Sequence, residues 1–136
     1  MSYPAFPPGI GYANGEYLPI SEVKISILDW GFLHSDATYD VVTTWKGQFF
    51  RMDAHLDRFM NSTQKLKLNP GLSREEIAQV LHSCVARAKL QDAYVEMICT
   101  RGFAPGSRDP RDGVNQFFAF AVPFGWILTP RRRPPR

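Results

Sequence analysis

The spacing of apolar residues changes twice along this chain of 136 residues, and this change limits the folds that the chain can adopt. Before residue 52 and after residue 92, apolar, aromatic and β-branched residues form short runs that are typical of strands. Between these regions, over 53–88, apolar residues recur every three or four positions, as on the buried face of a helix. Strands, then helices, then strands predict an α+β domain in which two helices pack on a mainly antiparallel sheet.

Two hairpins are predicted in the first 51 residues. Asn14-Gly15 lies between short strand-forming stretches, and this dipeptide favours a tight turn because both of its residues tolerate positive φ. Residues 38–45 form a second run of strand-forming residues, and Lys46-Gly47 turns the chain into residues 48–51. We therefore expect one hairpin around each turn.

Two helices are predicted in the middle of the chain. The first runs from Asp53, which is available as its N-cap, to about Leu68, ahead of the helix-breaking residues 69–71. Ser73 and Glu76 have the spacing of a capping box, which satisfies free backbone amides at the start of the second helix. The face of that helix that we expect to be buried consists of Ile77, Val80, Leu81, Cys84, Val85 and Ala88.

Two more strands are predicted over 93–101 and 116–122, with a loop rich in glycine, proline and charge between them. Side chains alternate between the two faces of a strand. Glu96 is therefore expected on one face with Tyr94 and Ile98, in mainly apolar surroundings.

The basic residues are unevenly distributed along the chain. The net charge is +3, but residues 131–136 hold four of the sixteen basic side chains, so residues 1–130 carry 12 basic and 13 acidic residues, a net charge of −1. Nucleic-acid-binding domains usually spread basic residues over a face, so we expect no nucleic-acid partner. The chain has no apolar run long enough to cross a membrane, and Met1 to Ile10 lack the features of a secretory signal. We therefore expect no membrane association and a cytoplasmic location.

Few residues are arranged in a pattern with known chemistry. Glycine-rich phosphate loops, nucleophile elbows and metal-ligand spacings are absent from the sequence. Cys84 and Cys99, the only cysteines, are expected to be two buried thiols. His34 is a lone histidine, which is more often a structural hydrogen-bonding residue than a catalyst, and Asp36 and Asp40 are interpreted as solvated carboxylates.

Arginines provide two further candidate sites. Arg58 lies near the start of the first helix, where free amides and a guanidinium can hold an anion, and the alternative is an Asp–Arg surface pair. Arg101, Arg108 and Arg111 flank the 102–115 loop and are available to bind a carboxylate, with a solvated loop as the equal alternative.

Three segments together carry a family resemblance. They are Asp29-x-Gly-Phe-Leu-His-Ser-Asp-x-Thr-Tyr-Asp-Val41, then Phe49-Phe-Arg-Met-Asp-x-His-Leu-x-Arg58, then Asp92-Ala-Tyr-Val-Glu96 leading to Thr100-Arg-Gly102. The order and spacing of these segments resemble those of the small N-terminal domain of the fold-type IV pyridoxal-phosphate aminotransferases. The resemblance extends from about Ile10 to Trp126. Within that family the nearest likeness is to the (R)-selective amine transaminases.

The resemblance implies roles for particular residues. Arg58 matches the arginine that holds the phosphate of pyridoxal 5'-phosphate, and Arg108 matches a loop arginine that can meet a substrate carboxylate. Glu96 stands where relatives that favour branched-chain substrates usually have a basic residue, which indicates amine or unusual amino-donor substrates. The positions that match the lining of the substrate pocket are His34, Tyr39, Val41, Tyr94 and Glu96.

The resemblance also implies a division of the chain and a missing part. Residues 1–10 form a proline-rich segment, 11–126 the small domain, and 127–136 a basic tail that is a possible remnant of the connection between domains. Family members are about twice as long, and their second domain supplies the Schiff-base lysine. We therefore expect the chain alone to lack activity and stable cofactor binding. None of the lysines present matches that position; they are Lys24, Lys46, Lys65, Lys67 and Lys89.

Two function classes follow from the sequence. In the first, the chain is part of a transaminase that acts on a small-molecule amine or amino acid and a keto acid, with a large domain or a homo-oligomer as partner. In the second, it is a non-catalytic binding or assembly module derived from the same fold. The module would use an exposed apolar surface, for which we expect Phe117, Phe118, Phe120, Phe124 and Trp126.

Overall fold

The computed structural model describes residues 5–125, which form a six-stranded antiparallel sheet with two long helices on one face. The predicted α+β class is confirmed. The strand order is β2-β1-β6-β5-β3-β4, so the C-terminal strands separate the two hairpins. The elements are β1 (Ile10–Ala13), β2 (Glu16–Pro19), α1 (Trp30–Leu33), β3 (Ala37–Trp45), β4 (Gln48–Phe49), α2 (Met52–Leu66), α3 (Arg74–Ala88), β5 (Ala93–Thr100) and β6 (Gln116–Pro123).

Both predicted hairpins are present. Asn14 and Gly15 adopt φ values of 52° and 78° between β1 and β2, and Lys46 and Gly47 adopt 51° and 81° between β3 and β4. Positive φ at both turn residues matches the right-handed twist of the flanking strands. The second hairpin is short, because only two residue pairs join β3 to β4.

The core lies between the sheet and the two long helices. Phe59 of α2 and Leu81 of α3 are fully buried against Val95 of β5 and its neighbours. Five of the six residues predicted for the buried face of α3 are buried, and Ala88 is half-buried. Cys84 and Cys99 are both buried free thiols, as predicted, and burial raises the pKa of each to about 12.

The two long helices begin differently. The capping box of α3 forms as predicted, since the Ser73 hydroxyl accepts from the Glu76 amide and the Glu76 carboxylate accepts from the Ser73 amide, both at 3.1 Å. The prediction that Asp53 caps α2 is wrong, because α2 begins at Met52 and Arg51 occupies the cap position with φ 55°. Asp53 lies inside the first turn, and its carboxylate accepts from Arg74. The helix also ends at Leu66, earlier than predicted.

A short helix before β3 was not predicted. In α1, the buried Asp29 carboxylate accepts from the Gly31 amide and from the Thr100 hydroxyl, both at 2.7 Å. A β-carbon on Gly31 would lie 2.8 Å from the side chain of Thr100, so this close approach requires glycine. Four residues are too few for a helical spacing of apolar residues to be recognised.

The sheet face opposite α2 and α3, which we call the outer face, carries Tyr39, Val41, Tyr94, Glu96 and Phe120. It is partly covered near β1, where a β-carbon on Gly11 would overlap the Val23 side chain. No helix within residues 5–125 is both long and apolar enough to span a bilayer.

The predicted exposed apolar surface is partly wrong. Phe117 and Phe118 are only 7% and 8% exposed. Phe117 packs edge-on against Phe59 of α2, because it lies on the helix-covered face of β6. Phe120 is half-buried and stacks on Tyr94, and Phe124 is also half-buried. Trp126 and the predicted basic tail lie outside the described residues.

Candidate functional site

A buried aspartate joins β3 to the first half of α2. The Asp40 side chain is 4% exposed, and its two oxygens accept from Arg58 Nε at 2.6 Å and Arg58 Nη2 at 2.9 Å. His55 Nδ1 lies 2.8 Å from the same carboxylate. His55 and Arg58 are three positions apart, so both side chains project from one face of α2. The interpretation of Asp40 as a solvated carboxylate is therefore wrong.

The charges of this cluster stabilise one another. Burial tends to raise the pKa of Asp40, but the hydrogen bonds and charges of Arg58 and His55 outweigh it, and the net pKa is lowered. The hydrogen bond that Arg58 donates to Asp40, together with the negative charge of Asp40, in turn raises the pKa of Arg58. Asp40 is therefore ionised at neutral pH, and Arg58 stays positively charged beside it.

The guanidinium of Arg58 keeps one edge available. The Nε and Nη2 groups donate to Asp40, and Nη2 also lies 3.3 Å from His55 Nδ1, whereas Nη1 makes no hydrogen bond to any residue within 5–125. The Arg58 side chain is 66% exposed and borders an open groove of about 290 Å³, whose other lining residues include Tyr39, Val41 and Ser62. A guanidinium held in one orientation with a free edge suits an oxyanion such as a phosphate.

Four of the predicted pocket residues lie on the outer face. The register of β3 and β5 pairs Val41 with Glu96, and Tyr39 and Tyr94 lie on adjacent rows of the same face. Tyr39 is 65% exposed, and the Tyr94 hydroxyl donates to Glu96 at 3.1 Å. Burial raises the pKa of Glu96, although the hydrogen bond from Tyr94 opposes this shift. Within the described part of the chain, no arginine, lysine or histidine forms an ion pair with Glu96.

His34 and Arg108 lie apart from this group in the contacts that the structure records. His34 follows α1, where its ring is exposed and contacts Trp30 edge-on at 5.9 Å between centroids. Arg108 is exposed in the loop between β5 and β6 and makes no ion pair with residues 5–125. The structure does not join either side chain to the residues of the outer face.

Of the other two loop arginines, Arg101 does not offer a free guanidinium group, contrary to one of the two interpretations. Arg101 is 9% exposed and pairs through Nε and Nη2 with Asp36, while it also donates to the carbonyls of Leu66 and Lys67 at the end of α2. Asp36 is therefore not a solvated carboxylate. Arg111 pairs with Asp109 at 2.6 Å. Arg101 is thus engaged within the domain, whereas the Arg111 side chain remains 87% exposed and its Nη1 makes no hydrogen bond to residues 5–125.

No binding role was predicted from the sequence for His55, Asp40 or Ser62. The only available signal was the spacing of His55 and Arg58, which places them on one face of a helix. Asp40 lies 18 positions before Arg58 in the sequence and meets it only because α2 packs across β3.

Comparison with known proteins gives the family. The model of the family described as amino-transferase class IV matches residues 37–135. A putative branched-chain-amino-acid aminotransferase of Methanocaldococcus jannaschii is 30% identical over 118 residues, which cover 86% of this chain and 41% of that protein. A D-alanine aminotransferase of Staphylococcus haemolyticus is 29% identical over 94 residues, or 69% of this chain and 33% of that protein.

Solved structures show the same fold. The T.th. branched-chain amino acid aminotransferase, complexed with N-(5'-phosphopyridoxyl)-L-glutamate, superposes with a TM-score of 0.77 at 19% identity and covers 87% of this chain and 41% of its own. The branched-chain aminotransferase from Thermoproteus uzoniensis with norvaline superposes with a TM-score of 0.75 at 20% identity. The match covers 85% of this chain and 41% of that chain. This chain thus spans only 33% to 41% of the length of these proteins. It belongs to the class IV aminotransferase family, and its fold is that of the family's small domain.

Proposed function

We propose that this domain forms one wall of the active site of a pyridoxal-phosphate-dependent aminotransferase, with Arg58 as a ligand of the cofactor phosphate. The observation that carries the proposal is the Arg58 guanidinium, which Asp40 holds in place at the border of an open groove and whose Nη1 has no hydrogen-bond partner among residues 5–125. The phosphate-bearing ligands named for solved structures of this fold support the proposal.

The residues of this chain would bind and orient the cofactor. When bound, pyridoxal phosphate supplies the carbonyl that takes up an amino group and the ring that withdraws electrons from it. Arg58 would donate hydrogen bonds to the phosphate, and Asp40 and His55 would keep the guanidinium in place. The five lysines of this chain are all exposed, and none lines the groove beside Arg58. We therefore assign the Schiff-base lysine to a second domain, in the part of the relatives' length that this chain does not span.

The outer face supports a substrate class. Tyr39, Val41 and Tyr94 offer aromatic and apolar contacts, and Glu96 adds a carboxylate without a cationic partner among residues 5–125. A carboxylate at this point disfavours a substrate carboxylate and suits an amine donor. We propose transfer between a primary amine or unusual amino acid and a keto acid, as in the (R)-selective amine transaminases, with His34 and Arg108 completing the pocket.

The domain division and the partners belong to the same proposal. Residues 11–126 would be the small domain, between a proline-rich segment at 1–10 and a connection to the large domain at 127–136. We expect a homo-oligomer or a separately supplied large domain as partner, and a cytoplasmic location.

The test uses pyridoxamine 5'-phosphate, which carries the phosphate but no aldehyde that could react with surface lysines. Calorimetric titration of the full chain is expected to show weak binding that Arg58→Met reduces about tenfold or more. Arg74→Met is the control. Like Arg58, Arg74 forms ion pairs, in its case with Asp53 and Asp57 of α2, but it does not line the groove. Equal affinities for the Arg58→Met variant and the unmodified chain would overturn the assignment.

A non-catalytic assembly module is the second candidate. The exposure of large apolar side chains at Ile27, Phe32, Tyr39 and Trp45 favours it, because such surfaces promote association. Light scattering tests the assembly role, because a chain that remains strictly monomeric at high concentration would contradict it.

A further inference from the structure

We infer that the hydroxyl of Ser62 is a second phosphate-binding donor in the groove beside Arg58. The inference rests on the proposed function of Arg58 and adds a residue to that site.

Ser62 is positioned to act together with Arg58. It follows Arg58 by four residues in α2, a spacing that places both side chains on one helix face with about 5 to 6 Å between their β-carbons. Both residues line the same open groove with Tyr39 and Val41 of β3. A ligand that touches the free edge of the Arg58 guanidinium would therefore lie within reach of Ser62.

The Ser62 hydroxyl is also available. It makes no hydrogen bond to any residue in 5–125, although serine and threonine in helices often bond to a preceding carbonyl. The neighbouring Thr63 does so, since its hydroxyl donates to the Met60 carbonyl at 2.8 Å on the buried side of the helix. Ser62 is half-buried and directed to the groove instead. The groove thus contains two donor groups without a partner among the described residues, Arg58 Nη1 and the Ser62 hydroxyl.

The charge of the site explains why a neutral donor is useful there. Asp40 offsets the positive charge of Arg58, so the pair presents little net charge to an anion. A phosphate monoester has three strong acceptor oxygens, of which one guanidinium edge can take two. A hydroxyl one helical turn away supplies a donor to the remaining oxygen. It adds no positive charge that would compete with Arg58 for Asp40.

The experiment compares Ser62→Ala with Ser83→Ala in the full chain. Ser83 is a half-buried serine of α3 whose hydroxyl also has no hydrogen bond within residues 5–125, so it controls for removal of a helical hydroxyl. Alanine favours helix, and melting temperatures will verify that both variants fold. We expect Ser62→Ala to weaken binding of pyridoxamine 5'-phosphate and inorganic phosphate about fivefold to tenfold, and Ser83→Ala to leave both affinities unchanged. Ser62→Thr, which keeps a hydroxyl, should retain binding to within about twofold.

The outcomes separate this inference from the proposal on which it rests. If Arg58→Met weakens phosphate binding and Ser62→Ala does not, the role of Ser62 is overturned and the phosphate site at Arg58 stands. If Arg58→Met has no effect, the site itself is overturned and Ser62 with it. An equal loss in the Ser83→Ala variant would also contradict a direct contact by Ser62.

Discussion

Asp40 and Glu96 are carboxylates on neighbouring strands, yet their surroundings shift their pKa values in opposite directions. Asp40 faces α2, where Arg58 and His55 reach it, and its pKa is lowered despite burial. Glu96 lies on the outer face, where burial raises its pKa and, among residues 5–125, only the Tyr94 hydroxyl donates a hydrogen bond to it. The number and the charge of the donors that reach each carboxylate, set against its burial, explain the opposite directions of the two shifts.

The lowered pKa of Asp40 makes stability depend on pH. Because the folded pKa lies below the ordinary value of 3.8, the ionised form stabilises the fold above that value, and this contribution is lost as pH falls through the folded pKa. We expect Asp40→Asn to lower the free energy of unfolding by about 1 to 3 kcal/mol at pH 7. Urea unfolding at pH 7 and pH 3 is the measurement, and the difference between the two proteins should narrow at pH 3.

Glu96→Gln serves as the control with the opposite sign. Since burial raises the pKa of Glu96, its ionisation above the ordinary value of 4.5 weakens the fold as pH rises through the folded pKa. At pH 7 the glutamine variant should therefore be more stable than the unmodified chain, by less than about 1 kcal/mol, and this difference should disappear at pH 3. If both variants showed the same pH trend, the assignment of opposite shifts would be wrong.

At the scale of elements, the loop between β5 and β6 is held at its base. Gly102 has a φ of 65°, and a β-carbon there would overlap the Val114 carbonyl across the loop. The Asn115 side chain donates to the Arg101 carbonyl at 3.0 Å and accepts from the Asn69 amide at 2.7 Å. The base of the loop that carries Arg108 is therefore fixed against both β5 and the α2–α3 connection.

Gly102→Ala is expected to destabilise the domain by about 3 kcal/mol or more, because the left-handed conformation and the backbone overlap both act against a β-carbon. Gly106→Ala in the same loop is the matched variant: its φ is 74°, but a β-carbon there would meet no atom within 4 Å, so only about 1 kcal/mol is expected. Thermal unfolding of both variants gives the comparison. A similar loss in the two would show that the overlap at Gly102 relaxes at no cost.

At the scale of the whole molecule, one sheet and one core connect all long elements. β5 pairs with both β3 and β6, and α2 and α3 pack on the same face of these strands. Both hairpins are attached to this centre, through β1 on β6 and through β3 on β5. Such connectivity predicts a single cooperative unfolding transition.

Urea unfolding followed by far-UV circular dichroism and by tryptophan fluorescence is therefore expected to give one midpoint. Circular dichroism reports the backbone of all elements, whereas the tryptophans include Trp30 in α1 and Trp45 at the end of β3. A fluorescence midpoint clearly below the circular dichroism midpoint would mean that these peripheral elements unfold independently of the core.

Most elements could be predicted from local sequence alone. Asn14-Gly15 and the Ser73 capping box have steric and hydrogen-bonding requirements that are met within a few residues, so their predictions hold. The same local reasoning failed for the cap of α2. Arg51 occupies the cap position with a positive φ, and Asp53 lies inside the first turn, where its carboxylate accepts from Arg74 of α3. It also missed α1, a helix of four residues whose capping Asp29 is held by Thr100, 71 positions away along the chain.

The fold class, the hairpins and the two long helices could be predicted from the sequence, since periodicity and turn chemistry act over short distances along the chain. The contacts between distant polar groups, in contrast, depend on tertiary packing. Packing buries Arg101 against Asp36, places Arg58 at the border of a groove, and places Glu96 beside Val41 on the outer face. Strand order and the crossing of α2 over β3 decide these contacts, and both arise from packing of the whole core, which no local pattern encodes.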